Sequence, residues 1–279
     1  MPAATFTLSA FGDEIIDDLA TQLEVLSAEN VHHLELRGAW GKNVLDLDHN
    51  ELRQARTMLD ERNFGVSAIG SPIGKSDLDQ PPTFEMERLE RAIAAAESLN
   101  TRLIRVFSFF VAQDQAAQNR EEILERMGQL TKRAEQAGVM LVHENEKDIY
   151  GDIPQRCQDL MQSIASPALW MAFDPANFVQ VGVRPMEEAW PLLANDTIHI
   201  HIKDAVFADG SVCPAGEGDG AIPELLTTLV ERNYEGFLTL EPHLKIAGPS
   251  GGVSGADGMQ VAIHALRKLL NTLPDIDVK

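Results

Sequence analysis

The sequence has few of the residues that mark a secreted or membrane-bound protein. Cysteine occurs only as Cys157 and Cys213, with no metal-ligand or redox spacing. We therefore expect no disulfide framework, which fits a reducing, cytoplasmic location. No apolar run is long enough to cross a bilayer, and the N-terminal segment lacks a basic region followed by a long apolar stretch, so neither a membrane span nor a signal peptide is expected.

Positive charge is also scarce. The chain has 23 Lys and Arg against 43 Asp and Glu, a formal net charge of −20. Binding nucleic acid or an anionic membrane surface requires clustered cations, so we expect neither partner and predict a small-molecule ligand instead. A GxGxxG motif does not follow the first predicted strand, which argues against the simplest dinucleotide-binding fold.

Apolar segments typical of β-strands alternate with amphipathic helical segments along the whole chain. Strands are predicted at residues 5–11, 33–37, 65–70, 102–108, 138–144, 169–174, 198–203 and 236–241. Helices are predicted at 17–29, 49–63, 83–99, 120–137, 222–232 and 259–273, with a weaker pattern around 185–193. The strand ends recur about every 33 residues, as expected for a barrel of eight βα units. The sequence thus predicts an α/β fold, a (β/α)8 TIM barrel forming one domain over 1–279.

The segment HIHIKDA, residues 199–205, has two unlike faces. Its isoleucines point one way, and His199, His201 and Lys203 point the other, because side chains alternate along a strand. A strand that is covered by helices outside and lines a barrel inside has this pattern. Active sites of such barrels lie at the C-terminal ends of the strands, so we expect His201 and Lys203 to face one.

Together with His201, acidic residues occupy the same end of four consecutive strands. Glu144, Asp174 and Glu241 share the inward parity of His201, and apolar outward neighbours set this parity in the sixth, seventh and eighth strands. Three converging carboxylates repel one another unless a cation joins them. Three carboxylates and one imidazole suit a single divalent ion, Mn²⁺, Mg²⁺, Co²⁺ or Zn²⁺. The alternative is four separate polar residues that form salt bridges or cap helices.

HIHIKD, FDPANF, VHENE and LEPH together resemble the xylose isomerase-like TIM barrels. Within them the chain is similar to the sugar phosphate isomerase/epimerase group, which includes ketose 3-epimerases, hydroxypyruvate isomerase and inosose dehydratase. The resemblance runs from SAFGDE near the start to the last helix. It implies that Glu144, Asp174, His201 and Glu241 are metal ligands, and that Glu144 and Glu241 are also the acid/base pair. The ligand set is common to the superfamily and does not choose a reaction.

Three further residues near the predicted site are substrate-binding candidates, each with a structural alternative. Lys203 is placed to stabilise an oxyanion, or else to pair with Asp204 or Glu217. Asn177 contacts substrate or caps a turn. Glu146 matches a substrate-contacting position in some relatives, or is a solvated loop acid.

Residues on the earlier strands supply two more candidates. Lys75 approaches the substrate from the third strand, or is a surface lysine. Arg37 reaches the substrate, or joins Glu35 and Arg105 in a buried Glu–Arg pair in the barrel floor, which is the preferred interpretation. His199, one layer below His201, is expected to be a satisfied interior residue.

Two glycine-rich loops, at 214–220 and 248–255, follow the seventh and eighth strands. TIM barrels often bind phosphate at these positions. Neither loop contains Lys or Arg, so simple mobile loops and a phosphate cradle both remain as interpretations.

The predicted function is a divalent-metal-dependent isomerase or epimerase of a small sugar, polyol-ketone or sugar phosphate, acting through a metal-stabilised cis-enediolate. The first alternative is a lyase of the inosose dehydratase type, which shares the initial proton abstraction. A phosphodiesterase like endonuclease IV is disfavoured by the eight histidines and the net charge of −20. A noncatalytic sugar-binding relative is disfavoured by the complete ligand set. The oligomeric state stays open, with a homo-oligomer among the alternatives.

Overall fold

The computed structural model describes residues 4–244 and 254–279, and its centre is a barrel of eight parallel strands. The strands are β1 (Ala4–Ala10), β2 (His33–Leu36), β3 (Gly65–Ile69), β4 (Leu103–Val106), β5 (Met140–Glu144), β6 (Leu169–Phe173), β7 (Thr197–Ile202) and β8 (Glu235–Leu240). All eight predicted strands are present, and the predicted α/β class and (β/α)8 TIM-barrel fold are confirmed.

Each strand pairs in parallel with the next along the chain, and β8 pairs with β1 to close the barrel. The seam between β1 and β2 is narrow, since only Ala10 and Leu34 are paired there. A ninth strand, β9 (Ile276–Val278), pairs with the start of β1 over Ala4–Phe6. The C-terminal segment therefore satisfies the backbone groups of β1 that β2 does not reach.

Helices connect the strands and cover the outside of the barrel. They are α1 (Leu19–Ala28), α2 (His49–Glu61), α3 (Pro82–Ser98), α4 (Ala116–Ala137), α5 (Pro154–Ile164), α6 (Pro175–Gln180), α7 (Trp190–Leu193), α8 (Ile222–Glu231) and α9 (Gly255–Leu270). Single 3₁₀ turns lie at Gly12–Glu14, Val44–Asp46, Gln113–Gln115 and Tyr150–Asp152. None of these helices is both long and apolar enough to cross a membrane.

Helix ends follow local chemistry. Asp48 and Glu51 form a reciprocal capping box at the start of α2, which satisfies amide groups that have no partner within the helix. Gly138, with φ 74°, ends α4 in the left-handed conformation that glycine adopts without strain. The weak helix expected around 185–193 is a π-helical turn, Pro185–Ala189, followed by the short α7. Helix α5 was not among the predicted helices.

The outward faces of the strands carry the apolar core. Ile200, Ile202, Phe173, Leu238 and Leu240 are fully buried in one cluster with the surrounding helices. This packing sets the parity of each strand, so the intervening polar residues point into the barrel.

The first glycine-rich loop is anchored by Asp204, a buried residue just after β7. Its carboxylate accepts hydrogen bonds from the backbone amides of Gly216, Gly218 and Gly220, at 2.8, 3.1 and 2.8 Å. A Cβ at Gly218 or Gly220 would lie within about 2.6 Å of Asp204 Oδ1, so glycine is required there. The amides that would cradle a phosphate already bind a carboxylate, and the loop is held rather than loose. In the second loop, residues 248–253 lie outside the described part of the chain.

We predict that Asp204→Ala destabilises the protein, because four backbone amides lose their acceptor, and those of Ala205 and Gly220 are buried. An unsatisfied buried donor costs about 1–3 kcal/mol, so the free energy of unfolding should fall by at least that amount in urea titrations. Asp209→Ala, which removes an exposed aspartate of the neighbouring turn, is the matched control. Equal stability of Asp204→Ala and wild type would contradict the anchoring role.

Candidate active site

Four residues predicted as a set meet at the C-terminal end of the barrel. Glu144 ends β5, Asp174 follows β6, His201 lies in β7 and Glu241 follows β8. One ligand-type atom from each lies within 4.8 Å of the others, and all four residues are buried. The parity argument thus identified side chains that come together, although their distance apart in sequence approaches 100 residues.

His201 points one ring nitrogen into this group. Its Nδ1 atom lies 3.5 Å from Glu144 Oε1 and 3.9 Å from Glu241 Oε2, and it has no hydrogen-bond partner among the described residues. Its Nε2 atom lies 3.2 Å from Glu35 Oε2. Burial opposes protonation, but Glu35 and Glu144 outweigh it and raise the pKa of His201 to about 10. A buried, unpartnered nitrogen among carboxylates is an arrangement that fits a cation ligand site.

Two asparagines hold the ends of β5 and β6 together. The side chain of Asn145 donates to the carbonyl oxygen of Asp174 at 2.9 Å and accepts from its amide at 3.0 Å. Asn177 donates to Glu144 Oε1 at 3.0 Å, and its own amide donates to Asp174 Oδ1 at 2.9 Å. The cap of this helix is Asp174 rather than Asn177, and the side chain of Asn177 instead orients Glu144.

Lys203 is buried and contacts two of the four residues. Its Nζ atom lies 2.8 Å from Asp174 Oδ2 and 2.9 Å from Glu241 Oε2. The alternative pairing with Asp204 or Glu217 was wrong, because the side chain of Lys203 points inward with His201 rather than toward the loop. The carboxylates themselves raise the pKa of Lys203 well above its ordinary value, against the effect of burial.

Arg105, on β4, supplies a second buried cation. Its Nη1 atom lies 3.1 Å from Glu144 Oε2 and 3.8 Å from Glu241 Oε1. The guanidinium stacks between the rings of Phe11 and Phe107, at 4.9 and 5.0 Å from their centroids. The sequence-based argument that a metal must supply the counter-charge was therefore incomplete, because the protein provides cations of its own.

Arg37 contacts the rim of the group rather than the barrel floor. It bonds Asp13 at 2.7 Å, Glu241 at 3.0 Å and Glu14 at 3.2 Å. The preferred interpretation, a buried pair between Glu35 and an arginine, was wrong. Glu35 is bonded by two histidines instead.

His199 is an interior residue, as predicted. It is fully buried, and its Nε2 atom lies 2.7 Å from Glu35 Oε2 and 3.2 Å from the Thr239 hydroxyl.

The three carboxylates differ in their affinity for protons. Burial favours the neutral form of each, but His201 and Arg105 lower the pKa of Glu144 to about 2, despite the charge of Glu241. Lys203 is the main cation that holds the pKa of Glu241 well below its ordinary value. Burial raises the pKa of Asp174 to about 6, an effect that Lys203 only partly offsets. Both glutamates are therefore ionised at neutral pH.

A cavity of about 600 Å³ adjoins the group through Lys203 and Asn177, which line it and also contact the carboxylates. Glu146, Asn177, Lys203 and His243 are among the residues that line it. Lys75 forms an ion pair with Glu146 at 3.0 Å and is half-buried, so it is not the free surface lysine of the alternative interpretation.

Sequence reasoning missed His243 as a residue of the site and gave Arg105 the wrong partner, Glu35. His243 lies 2.8 Å from Glu14 Oε1 and 3.8 Å from Glu241 Oε1, and Arg105 contacts both predicted acid/base glutamates. The signal for Arg105 was a charged residue at an inward position of an otherwise apolar strand. His243 had no such signal, since it follows the strand end.

The family model described as xylose isomerase-like TIM barrel matches residues 24–272. Among curated proteins, 2-epi-5-epi-valiolone 7-phosphate 2-epimerase from Actinoplanes sp. is 26% identical over 193 residues, 69% of this chain and 70% of the relative. Fructoselysine 3-epimerase from Escherichia coli O157:H7 is 28% identical over 123 residues, 43% of this chain and 44% of the relative. This second match spans less than half of either protein.

Solved structures share the fold at low identity. A D-tagatose 3-epimerase-like protein has a TM-score of 0.74 at 17% identity, covering 96% of this chain and 98% of its own. The IolI protein with bound zinc has a TM-score of 0.76 at 12% identity, covering 95% and 98%. A Mycobacterium smegmatis protein in complex with magnesium has a TM-score of 0.70 at 17% identity, covering 97% and 99%.

We predict that Lys203→Met strongly destabilises the metal-free protein, because Asp174 and Glu241 lose a buried counter-charge. Removing one partner of a buried ion pair costs about 3–5 kcal/mol. The loss should shrink as pH falls through the pKa of Asp174, since protonation removes part of the repulsion. Urea denaturation at several pH values measures both effects.

Lys147→Met is the control, because Lys147 lines the same cavity but is exposed. It should change stability by less than about 0.5 kcal/mol. Equal stability of Lys203→Met and Lys147→Met would contradict a buried charge network around Lys203.

Proposed function

This chain belongs to the xylose isomerase-like TIM barrel family, and from that premise we propose that it is a divalent-metal-dependent epimerase or isomerase of a small sugar or polyol-ketone. The observation that carries the proposal is the convergence of Glu144, Asp174, His201 and Glu241 beside an open cavity. The names of the two curated relatives, both sugar epimerases, support the same class of reaction.

The donor set fits one divalent cation. Glu144, Asp174, His201 and Glu241 would hold it, and the unpartnered Nδ1 of His201 is the atom that most needs such a partner. Mn²⁺, Mg²⁺, Co²⁺ and Zn²⁺ all accept three carboxylates and one imidazole. When bound, the ion supplies Lewis acidity that polarises a substrate carbonyl and acidifies the adjacent C–H.

Glu144 and Glu241 are proposed as the acid/base pair. Both are ionised at neutral pH, so either is ready to remove a proton from the carbon next to the carbonyl. Removal of that proton leaves an enediolate and a protonated glutamate. The other glutamate, which starts ionised, takes up a proton from water in the cavity before it returns one to the enediolate, and the first glutamate releases its proton to water. Return to the opposite face gives an epimer, and return to the neighbouring carbon gives an aldose–ketose isomer. Asn177 and Arg105 hold Glu144 in place during the transfer.

Substrate contacts are proposed for the residues of the cavity wall and floor. Lys203, two residues beyond His201, donates toward the oxyanion, and Asn177 and Glu146 offer hydrogen bonds to hydroxyl groups. Lys75 is proposed to contact the substrate from the side of the cavity where it pairs with Glu146. Arg37 is proposed to act on the substrate indirectly, through its ion pair with Glu241.

We predict that Asp174→Asn and His201→Ala each lose most metal affinity, because each removes a ligand. Calorimetric titration with Mn²⁺ and Zn²⁺ measures the affinity, and added metal should raise the Tm of wild type by linkage. His264→Ala, which changes an exposed histidine, should bind like wild type. Full metal content in the Asp174→Asn, His201→Ala double variant would contradict the site.

The chemical step predicts proton exchange in D₂O. With a panel of D-tagatose, D-fructose and fructoselysine, free and phosphorylated, wild type should incorporate deuterium next to the carbonyl. Glu144→Gln and Glu241→Gln, checked for metal content, should each slow turnover by about 10²–10⁴-fold. Glu217→Gln, an exposed loop variant, is the control.

NMR analysis of the product separates the reaction types. An epimer or aldose–ketose isomer supports the proposal, and loss of water supports the dehydratase alternative. Wild-type turnover by both metal-loaded glutamate variants would exclude the two-glutamate mechanism.

A further inference from the structure

Glu35 is a buried carboxylate that lies one layer below the proposed metal ligands. It sits in β2 with no exposed surface, and its Oε2 atom accepts from two histidines of β7. The distances are 2.7 Å to His199 Nε2 and 3.2 Å to His201 Nε2. Glu35 is thus the only carboxylate within hydrogen-bond distance of the remote nitrogen of His201 among residues 4–244 and 254–279.

We propose that Glu35 is a positioning residue for His201: it takes the hydrogen bond from Nε2 and so leaves Nδ1 as the metal-binding atom. This inference rests on the proposed metal site. It adds a residue on a different strand, and it names the nitrogen that the ion would meet.

The geometry of the imidazole ring supports this assignment. A neutral imidazole carries a proton on one nitrogen and a lone pair on the other. A metal ion displaces the second proton of the His201 ring. With Nε2 still donating to Glu35, the lone pair then lies on Nδ1, which faces Glu144 at 3.5 Å and Glu241 at 3.9 Å. A carboxylate on the far nitrogen of a ligating histidine fixes the tautomer and makes the ligand more basic.

Neighbouring rings fix the plane of the His201 imidazole. Phe11 packs edge-on against it with centroids 5.3 Å apart, and His199 does the same from below at 5.3 Å. Rotating the imidazole by half a turn would replace Nε2 by a carbon atom opposite Glu35. The buried carboxylate would then lose one of its two donors, which is costly in a dry interior.

A purely structural role would account for Glu35 differently, as one member of a buried polar cluster with His199 and Thr239. Such a role affects folding but leaves the affinity of a correctly folded site for metal unchanged. Metal affinity therefore distinguishes the two roles.

The experiment compares Glu35→Gln with Thr239→Val. Glu35→Gln keeps the shape of the side chain and removes its charge, whereas Thr239→Val removes a hydrogen bond of the same layer that does not involve His201. Calorimetric titration with Zn²⁺ and Mn²⁺ should show affinity about 10–100-fold weaker for Glu35→Gln. Thr239→Val should bind like wild type. Equal affinity of folded Glu35→Gln and wild type would overturn the inference.

A second measurement uses wild type and does not depend on a variant that folds. In ¹⁵N-histidine NMR with Zn²⁺, the His201 signals, assigned by their loss in His201→Gln, should show metal at Nδ1 and a proton at Nε2. Zinc at Nε2 would overturn the inference but leave the metal site intact. Failure of wild type to bind either ion would instead overturn the proposed metal site, and the inference with it.

Discussion

The structure depends on the burial of three carboxylates, Glu144, Asp174 and Glu241, at one end of a barrel. Carboxylates that are close together and removed from water are unstable as a group, because repulsion and desolvation both favour protonation. The protein meets this constraint with Arg105, which contacts Glu144, and Lys203, which contacts Asp174 and Glu241. His201 and Arg105 lower the pKa of Glu144 and Lys203 lowers that of Glu241, whereas burial raises the pKa of Asp174 despite its contact with Lys203.

This charge balance also determines what a divalent ion would meet on entry. Lys203 contacts one oxygen each of Asp174 and Glu241, so an ion held by these carboxylates would share them with the ammonium. In the metal-free protein both ring nitrogens of His201 carry a proton, since its pKa is raised to about 10. Binding of an ion would therefore release a proton from His201, and the hydrogen bonds of Asn145 to Asp174 hold the ends of β5 and β6 together. Such support from neighbouring residues is what holds reactive groups in a productive geometry.

Sequence reasoning could find the site because strand parity is a local property. Isoleucines flanking His201 must face the helices, and this alone directs the histidine inward. The partners of inward residues depend instead on the stagger of strands across the barrel, which no local pattern encodes. Glu35 was correctly placed inside, yet it meets His199 and His201 rather than an arginine. The π-helical turn at Pro185–Ala189 was similarly beyond a search for regular 3.6-residue periodicity.

The loop after β7 bears on how a substrate is recognised. In many TIM barrels this position binds phosphate through backbone amides, and the glycines at 216, 218 and 220 resemble such a cradle in sequence. Here the buried carboxylate of Asp204 takes those amides. A phosphate at the same place would have to displace an internal anion from several hydrogen bonds, and burying the freed carboxylate without them is costly. The charged side chains that line the cavity, among them Glu146, Lys147 and His243, are the groups left to meet the distal end of a bound substrate. That wall carries both acidic and basic groups, so it can accept hydrogen bonds from hydroxyl groups and donate to them. A wall of cations alone would instead favour an anionic ligand.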